Sequence, residues 1–308
     1  MIETLPNTLA CLLDGLVDYA GLFPPAREDM ETMVKGFDEG LDHPMGWMLA
    51  RVIVPVKKLD EFERAAASLL PDNETDDPWC LSVLVSPAGS DALEGDIERL
   101  AAFNERHCRP ENGLALADVI ELQADSAEAI DAAFDLLPDD LFPFFELDGT
   151  KDPRGLLAAL AGSDAAAKVR VGGIKPELNL STAHVARFIR HAVQADVPFK
   201  ATAGLHHPLP NENAAVPAHQ QGFLNVFLAS AAAAVHRLNE SDIVELLDYT
   251  GAIEFDDEQV SMDGLVIGYE QLEASRGGTA ISFGSCSWKE PVADLQSLGY
   301  LPRLDTAD

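Results

Sequence analysis

Basic residues are scarce in this chain of 308 residues. The sequence has 21 lysine and arginine residues against 52 aspartates and glutamates, which gives a formal net charge of −31. A surface of this sign repels nucleic acid and anionic membranes, so we expect neither as a partner. The excess of acid is typical of adaptation to high salt, where counterions screen carboxylate repulsion. A GC-rich genome also produces a low lysine count, so both explanations stay open.

Cysteine is also scarce, and long apolar runs are absent. The cysteines stand far apart without a CxxC pair, which favours reduced thiols and argues against a structural zinc site. They are Cys11, Cys80, Cys108 and Cys286. No apolar run approaches the length of a membrane span, and the N-terminus lacks the basic start and cleavage site of a signal peptide. We therefore expect a cytoplasmic protein, and we predict no bound metal or cofactor.

The chain contains a regular alternation of strand-like and helix-like segments. The strand-like segments lie at 15–23, 47–56, 79–87, 114–124, 141–149, 166–173, 198–204 and 280–287. Each precedes a helix-like segment, the longest of which covers 222–248. Eight such units predict an α/β fold, a (β/α)8 TIM-type barrel that forms a single domain over 1–308. An open doubly wound sheet is the alternative, but no GxGxxG turn follows an early strand.

Residues 250–279 interrupt this alternation between the seventh and eighth strands. The stretch has the pattern of a hairpin with its turn near Asp263 and Gly264, followed by a short helix. We expect this hairpin-plus-helix insertion before the last strand to lie at the rim of the barrel, where it would form a partial lid.

Apolar and charged residues alternate in the fourth to seventh strands. One set of alternate residues in each strand is apolar, as at Phe145 and Phe199. This set must face the surrounding helices, where an unpaired charge is costly. The other set therefore faces the barrel axis; it comprises Glu121, Gln123, Glu146, Asp148, Lys168, Arg170, Lys200 and Thr202. Barrel interiors that serve stability alone are filled with branched apolar residues. The pattern therefore predicts a functional site inside the barrel.

Lys200 is the candidate amine nucleophile or base of this site. It stands near the C-terminal end of the seventh strand, where barrel enzymes build their active sites. Lys168 and Arg170 on the neighbouring strand are expected to lower the pKa of Lys200 and free its amine to attack a carbonyl group. The expected acid–base groups are Glu121, Glu146 and Asp148. The alternative is an inert network in which three acids and three bases neutralise one another.

Loops and strand ends supply the remaining candidate residues. His206 and His207 follow the seventh strand, and we expect at most one of them to face the site, as a catalytic aid and not as a metal ligand. Asp18 lies at the end of the first strand and would either reach the barrel mouth or make a helix-capping or loop hydrogen bond. The expected substrate-binding residues are Arg170, Lys168 and Thr202, with Asp18 at the mouth and Gly172, Gly173, Gly284 and Ser285 offering backbone amides to an anion.

Three stretches, "VDYAGLFPPA", "FKATAGLHHP" and "FGSCSWKEPVADL", resemble the hallmarks of a family of uncharacterised bacterial proteins with no known activity. A local similarity to deoxyribose-phosphate aldolase is also present. "KATAG" at Lys200 is similar to the strand that carries a reactive lysine in that family, and "KVRVGG" is similar to its second lysine motif, whose glycine pair helps to hold phosphate. This resemblance implies Schiff-base chemistry on a barrel.

These observations predict an enzyme that acts on a small anionic carbonyl or hydroxy compound by lyase or isomerase chemistry of the aldolase type. One alternative is a metal-dependent hydrolase that uses His206, His207 and the carboxylates. The other is a non-catalytic binder that holds an acidic metabolite through Arg170 and Lys200. The sequence is also compatible with a homo-oligomer.

Overall fold

Eight parallel strands close into a barrel, which confirms the predicted (β/α)8 fold. The computed structural model describes residues 5–213, 216 and 218–303. The strands in chain order are β1 (Val17–Tyr19), β2 (Leu49–Pro55), β3 (Trp79–Leu84), β4 (Ala115–Gln123), β5 (Phe142–Leu147), β6 (Ala166–Arg170), β7 (Phe199–Thr202), β8 (Asn211–Asn213), β9 (Ala218–Gln220), β10 (Ile253–Phe255), β11 (Gln259–Met262), β12 (Leu265–Gly268) and β13 (Ala280–Ser285). The barrel order is β1-β13-β7-β6-β5-β4-β3-β2.

Helices surround the barrel strands. They are α1 (Asn7–Leu13), α2 (Met30–Leu41), α3 (Leu59–Ala66), α4 (Leu93–His107), α5 (Ala127–Phe134), α6 (Arg154–Leu160), α7 (Thr182–Ala195), α8 (Phe223–His236), α9 (Glu240–Leu247), α10 (Tyr269–Gly278) and α11 (Lys289–Ser297). In the described part of the chain, no helix is both long enough and apolar enough to cross a membrane.

The stretch predicted as one helix over 222–248 consists of two helices. Arg237 adopts a left-handed conformation with φ of 55°, which ends α8. The side chain of Asn239 then accepts hydrogen bonds from the backbone N–H groups of Ser241 and Asp242 and starts α9. A side chain that caps the free N–H groups in this way favours a new helix over continuation of the old one.

The apolar parity of the strands packs outward against the helices, as expected. The Phe199 ring meets that of Phe188 on α7 edge to face, with centroids 5.4 Å apart. Phe145 on β5 contacts Phe134 on α5 at the same distance. Burial of a phenylalanine side chain stabilises a fold by about 1.5–3 kcal/mol. This packing fixes which residues of each strand point to the barrel axis.

An apolar plug lies below the inward-facing charged residues inside the barrel. Its buried members are Val119, Phe144 and Ala166, and the side chains of Phe142 and Ile281 pack against them. Each buried member stands two residues before a charged residue of its own strand, and these charged residues are Glu121, Glu146 and Lys168. The charged layer therefore lies directly above the plug. The plug therefore closes the barrel below the charges and leaves their upper side as the route to solvent.

The insertion before β13 lies away from the barrel mouth, so the expected rim position is wrong. Its turn at Asp263 and Gly264 is as predicted, with both residues at positive φ, but β10 adds a third strand to the hairpin β11–β12. The Thr8 hydroxyl on α1 donates to the backbone oxygen of Asp256 at 2.6 Å. Because α1 leads into the start of β1, this contact places the insertion at the N-terminal face. The physical reason is that α8 carries the chain back to that face before the insertion begins.

Candidate functional site

Six charged side chains form a chain of alternating sign inside the barrel. In spatial order they are Asp18, Lys200, Glu121, Lys168, Glu146 and Arg170. Lys200 Nζ lies 2.6 Å from both Asp18 Oδ2 and Glu121 Oε1. Lys168 Nζ lies 2.7 Å from Glu121 Oε2 and 2.6 Å from Glu146 Oε2. We call this set the charge chain; Glu121, at its centre, binds both ammonium groups.

Strand register explains why these residues meet. Glu146, Lys168 and Lys200 are consecutive register partners across β5, β6 and β7, so their Cα atoms are neighbours in one row across the sheet. Glu121 stands two residues before Gln123, which is the partner of Glu146, and is therefore one inward-facing layer closer to the N-terminal end. Both lysines reach down to the Glu121 carboxylate, one to each oxygen.

Two serine hydroxyls complete the lower part of the charge chain. Ser82 on β3 donates to Glu121 Oε1 at 2.7 Å, and Ser282 on β13 donates to Asp18 Oδ2 at 2.7 Å. Ser82 alternates with the apolar Leu81 and Val83 along β3, which indicates an axial side chain, whereas nothing in the sequence pattern singles out Ser282. Asp18, expected at the mouth, is instead buried beside Lys200, and its second carboxylate oxygen is buried without a hydrogen-bond partner within the described residues.

Burial and charge act in opposite directions on this network. Burial alone would raise the pKa of Glu121, but the ammonium groups of Lys168 and Lys200 hold it well below the usual carboxyl range. Burial alone would likewise lower the pKa of Lys200, but Asp18 and Glu121 raise it above its ordinary value. The predicted lowering by neighbouring cations is therefore wrong, because carboxylates and not Arg170 contact the Lys200 amine. Lys200 is a buried ammonium ion at neutral pH.

A cavity of about 290 Å³ lies above the charge chain at the C-terminal end of the barrel. Its polar lining comprises Glu121, Lys168, Arg170, Thr202 and His206. Lys168 is 3% exposed and lines this cavity, whereas Lys200 is 0% exposed and lies beneath it. The sequence could not separate these lysines, because both are inward-facing residues on neighbouring strands and are partners in register. The amine that a substrate in this cavity would meet is that of Lys168.

Asp148 is separated from the charge chain. It lies in a neighbouring surface cavity of about 510 Å³, which also borders Glu146 and Arg170. Its carboxylate accepts hydrogen bonds from the backbone N–H and hydroxyl of Thr150 and pairs with Lys151, and these contacts lower its pKa. These contacts shape the loop after β5.

A third cavity, of about 870 Å³, borders Tyr19 and Trp288 at the surface but contains none of the charge chain. We therefore place the candidate site at the smaller central cavity.

The predicted glycine cradle is only partly at the cavity. Gly173 and Gly284 line it. Gly172 instead allows two loops to approach, because a Cβ atom there would lie 2.7 Å from the Cα atom of Gly204. Ser285 donates its hydroxyl hydrogen to the backbone oxygen of Ser287 and thereby shapes the loop after β13.

The two histidines differ in position. His206 lines the central cavity, and its Nδ1 lies 3.2 Å from Glu290 Oε2. His207 Nδ1 lies 2.6 Å from Asp294 Oδ2, one turn further along α11. Each imidazole therefore ties the loop after β7 to α11. Within the described ranges, no three His, Cys, Asp or Glu side chains are grouped as they would be to hold a metal ion.

Cys286 also lines the central cavity. Burial raises the pKa of its thiol, so the protonated form predominates at neutral pH. A thiolate is the nucleophilic form of cysteine, and Cys286 therefore serves as a small wall residue.

Comparison with known proteins adds no family to this description. No protein-family model matches the chain, and no curated protein is significantly similar to it. The motif resemblances therefore stay predictions.

Proposed function

We propose that this protein is a barrel enzyme of the lyase or isomerase type, with Lys168 as the amine that adds to a small anionic carbonyl substrate. The observation that carries this proposal is the position of Lys168, which lines the cavity while its amine contacts two carboxylates. The aldolase-like class of reaction follows the sequence prediction, but the geometry moves the nucleophile from Lys200 to Lys168.

Glu146 is the proton acceptor in this scheme. It lies 2.6 Å from Lys168 Nζ and also borders solvent through the neighbouring cavity. When a substrate carbonyl enters, one ammonium proton passes to Glu146, the free amine adds to the carbonyl carbon, and a second proton moves from the nitrogen to the former carbonyl oxygen to give the carbinolamine. Glu146 returns the proton as the carbinolamine loses water, and an iminium ion forms. The iminium ion then draws electrons from an adjacent C–C or C–H bond, which is the step shared by lyases and isomerases of this type.

Lys200 and Glu121 position the nucleophile. Lys200 keeps Glu121 ionised, and ionised Glu121 fixes Lys168 from below at 2.7 Å. Lys200 is 0% exposed and does not line the cavity, so a substrate does not reach its amine. Its role is therefore to hold the charge chain in register, and not to contact substrate.

Arg170 is the candidate anchor for the anionic group. Its side chain is 50% exposed, and its Nε lies 3.8 Å from Glu146 Oε1, so much of the guanidinium group is open to a ligand. A carboxylate bound there would sit beside the Lys168 amine, because both residues line the same cavity. The substrate class is a small oxo acid or a related anionic carbonyl compound, and the proposed compartment stays the cytoplasm.

Reductive trapping tests the proposal. Incubation with glyoxylate or pyruvate and cyanoborohydride should fix one equivalent of ligand, and peptide mapping should place it on Lys168. Lys168→Arg retains the charge but should abolish the adduct, whereas Lys200→Arg should retain it. Lys175 serves as an internal control, because it is an exposed lysine on the loop after β6.

Other labelling patterns would contradict the proposal. An adduct on Lys200 would restore the assignment made from the sequence. Equal labelling of Lys168 and Lys175 would show that Lys168 has no special reactivity. Stabilisation by oxo acids without any adduct would favour the non-catalytic binder.

A further inference from the structure

The central cavity has two chemically different halves. Glu121, Lys168, Arg170 and Thr202 come from β4, β6 and β7 on one side of the barrel. The other side consists of β1 to β3 and their loops, which are adjacent in the closed sheet. Its lining is apolar: Phe23, Pro24, Ile53 and Leu84. At the level of the strands, a substrate in the cavity therefore meets charge on one side and hydrocarbon on the other.

Two further apolar side chains stand open at the mouth of this cavity. Ile174 and Leu178 lie on the loop after β6 and are 40% and 42% exposed. Large apolar side chains exposed together at a binding cavity indicate contact with an apolar group of the ligand. Here the ligand itself is the occupant that would cover them, since both residues line the space above Lys168.

The charge on the polar half fits one carboxylate and not a phosphate dianion. The charge of Lys168 is neutralised by its contacts with Glu121 and Glu146. Among the described lining residues, this leaves the guanidinium group of Arg170 and the imidazole of His206 as the groups that can bind an anion. His206 in turn contacts the carboxylate of Glu290. The predicted glycine cradle contributes only Gly173 and Gly284 to the lining.

The cavity volume limits the size of the substrate. An apolar cavity of about 150 Å³ accommodates benzene. The central cavity, at about 290 Å³, is therefore large enough for a molecule with about twice as many non-hydrogen atoms. A six-carbon oxo acid or an arylated oxo acid is of this size.

From these observations we infer that the substrate carries a compact aliphatic or aromatic group beside its carbonyl carbon, and a single carboxylate in place of a phosphate. This inference rests on the proposed function, because it takes Lys168 as the residue that fixes the carbonyl. The apolar group lies against Phe23, Ile53 and Leu84 and is covered at the mouth by Ile174 and Leu178.

Binding of probes without a carbonyl group tests the inference separately from Schiff-base chemistry. Isothermal titration calorimetry should show hexanoate binding at least about tenfold more tightly than propionate or glycerol 3-phosphate, because added methylene groups leave water. Ile174→Ser should weaken hexanoate binding about three- to tenfold with little change for propionate. Leu136→Ser is the matched control, since Leu136 is a similarly exposed apolar residue outside this cavity and its replacement should change neither affinity.

The outcomes separate the two proposals. Glycerol 3-phosphate binding as tightly as hexanoate, no detectable binding of hexanoate, or an Ile174→Ser variant with unchanged hexanoate affinity would each overturn the substrate class. Trapping of Lys168 by 2-oxohexanoate and by glyceraldehyde 3-phosphate at equal rates would overturn it as well, while leaving the amine chemistry intact. Tight binding of hexanoate without any trapping by 2-oxohexanoate would support the apolar cavity and refute the role of Lys168.

Discussion

Replacement of Lys200 by methionine removes one buried charge and changes the side-chain volume little. The wild-type ammonium group lies 2.6 Å from one oxygen of Asp18 and 2.6 Å from one of Glu121, and it is 0% exposed. In Lys200→Met, Asp18 loses its cationic contact and Glu121 keeps only Lys168. The variant therefore buries a carboxylate without a matching charge, which is the most destabilising way to break an ion pair.

The expected loss of stability follows from this burial. Removal of one partner of a buried pair costs about 3–5 kcal/mol, because the remaining charge keeps its desolvation penalty and loses its attraction. A chain of this size loses about 2 °C in Tm per kcal/mol, so the expected fall in Tm is about 6–10 °C. The double variant Lys200→Met with Asp18→Asn should recover a large part of the loss, because it removes the unmatched carboxylate.

Urea unfolding followed by circular dichroism provides the measurement. Lys151→Met is the matched control, because Lys151 pairs with Asp148 at the surface with its side chain 73% exposed. Its free energy of unfolding should change by less than about 1 kcal/mol. The loss in Lys200→Met should also shrink as the pH falls from 7 towards 4, since protonation of the orphaned carboxyl group removes the unmatched charge. A loss below about 1 kcal/mol, or one that pH does not change, would refute the charge-chain argument.

Three further predictions follow from charge and burial. The Tm of the wild-type protein should rise as potassium chloride increases from low to molar concentration, because the formal net charge of −31 is screened; a flat or falling Tm would assign the acidity to genome composition. The pKa of Lys200 is raised above 10.5, so its contribution to stability is complete below that pH and is lost as the pH rises further. The difference in unfolding free energy between wild type and Lys200→Met should therefore shrink above about pH 10.5. A thiol reagent at neutral pH should modify exposed Cys108 well before Cys286, since Cys286 is buried and its pKa is raised, and faster modification of Cys286 would contradict this assignment.

The fold and the charged interior could be predicted from sequence because both depend on local periodicity. Strand residues point alternately to two faces, so the apolar parity of Phe145 and Phe199 assigned Glu146 and Lys200 to the axis without any tertiary information. The turn at Asp263 and Gly264 is equally local. These features need only the residues themselves and their nearest neighbours in the chain.

The choice between the two lysines could not be predicted, because it depends on contacts between distant segments. Lys168 and Lys200 are register partners with the same parity, so periodicity gives them equal status. The two lysines differ because Lys200 contacts Asp18, which lies 182 residues earlier in the chain. Asp18 in turn accepts a hydrogen bond from Ser282 on the last barrel strand. The same limit applies to the insertion, whose position depends on which barrel face the chain has reached when α8 ends.

The apolar plug below the charge chain argues against an inert interior network. The strands that carry Glu121, Glu146 and Lys168 also contribute Val119, Phe144 and Ala166, so these strands can fill a barrel with apolar side chains where stability alone is required. Ion pairs at the next level stabilise a fold no better than well-packed apolar residues of similar volume, because desolvation offsets much of their attraction. The first charged residues above the plug on β4 and β6 are Glu121 and Lys168, and both line the cavity, where Lys168 contacts its two carboxylate partners. Asp18 and Lys200 lie beneath the cavity, but Lys200 contacts Glu121, which lines it, so the charge chain as a whole favours the proposed site over an inert network.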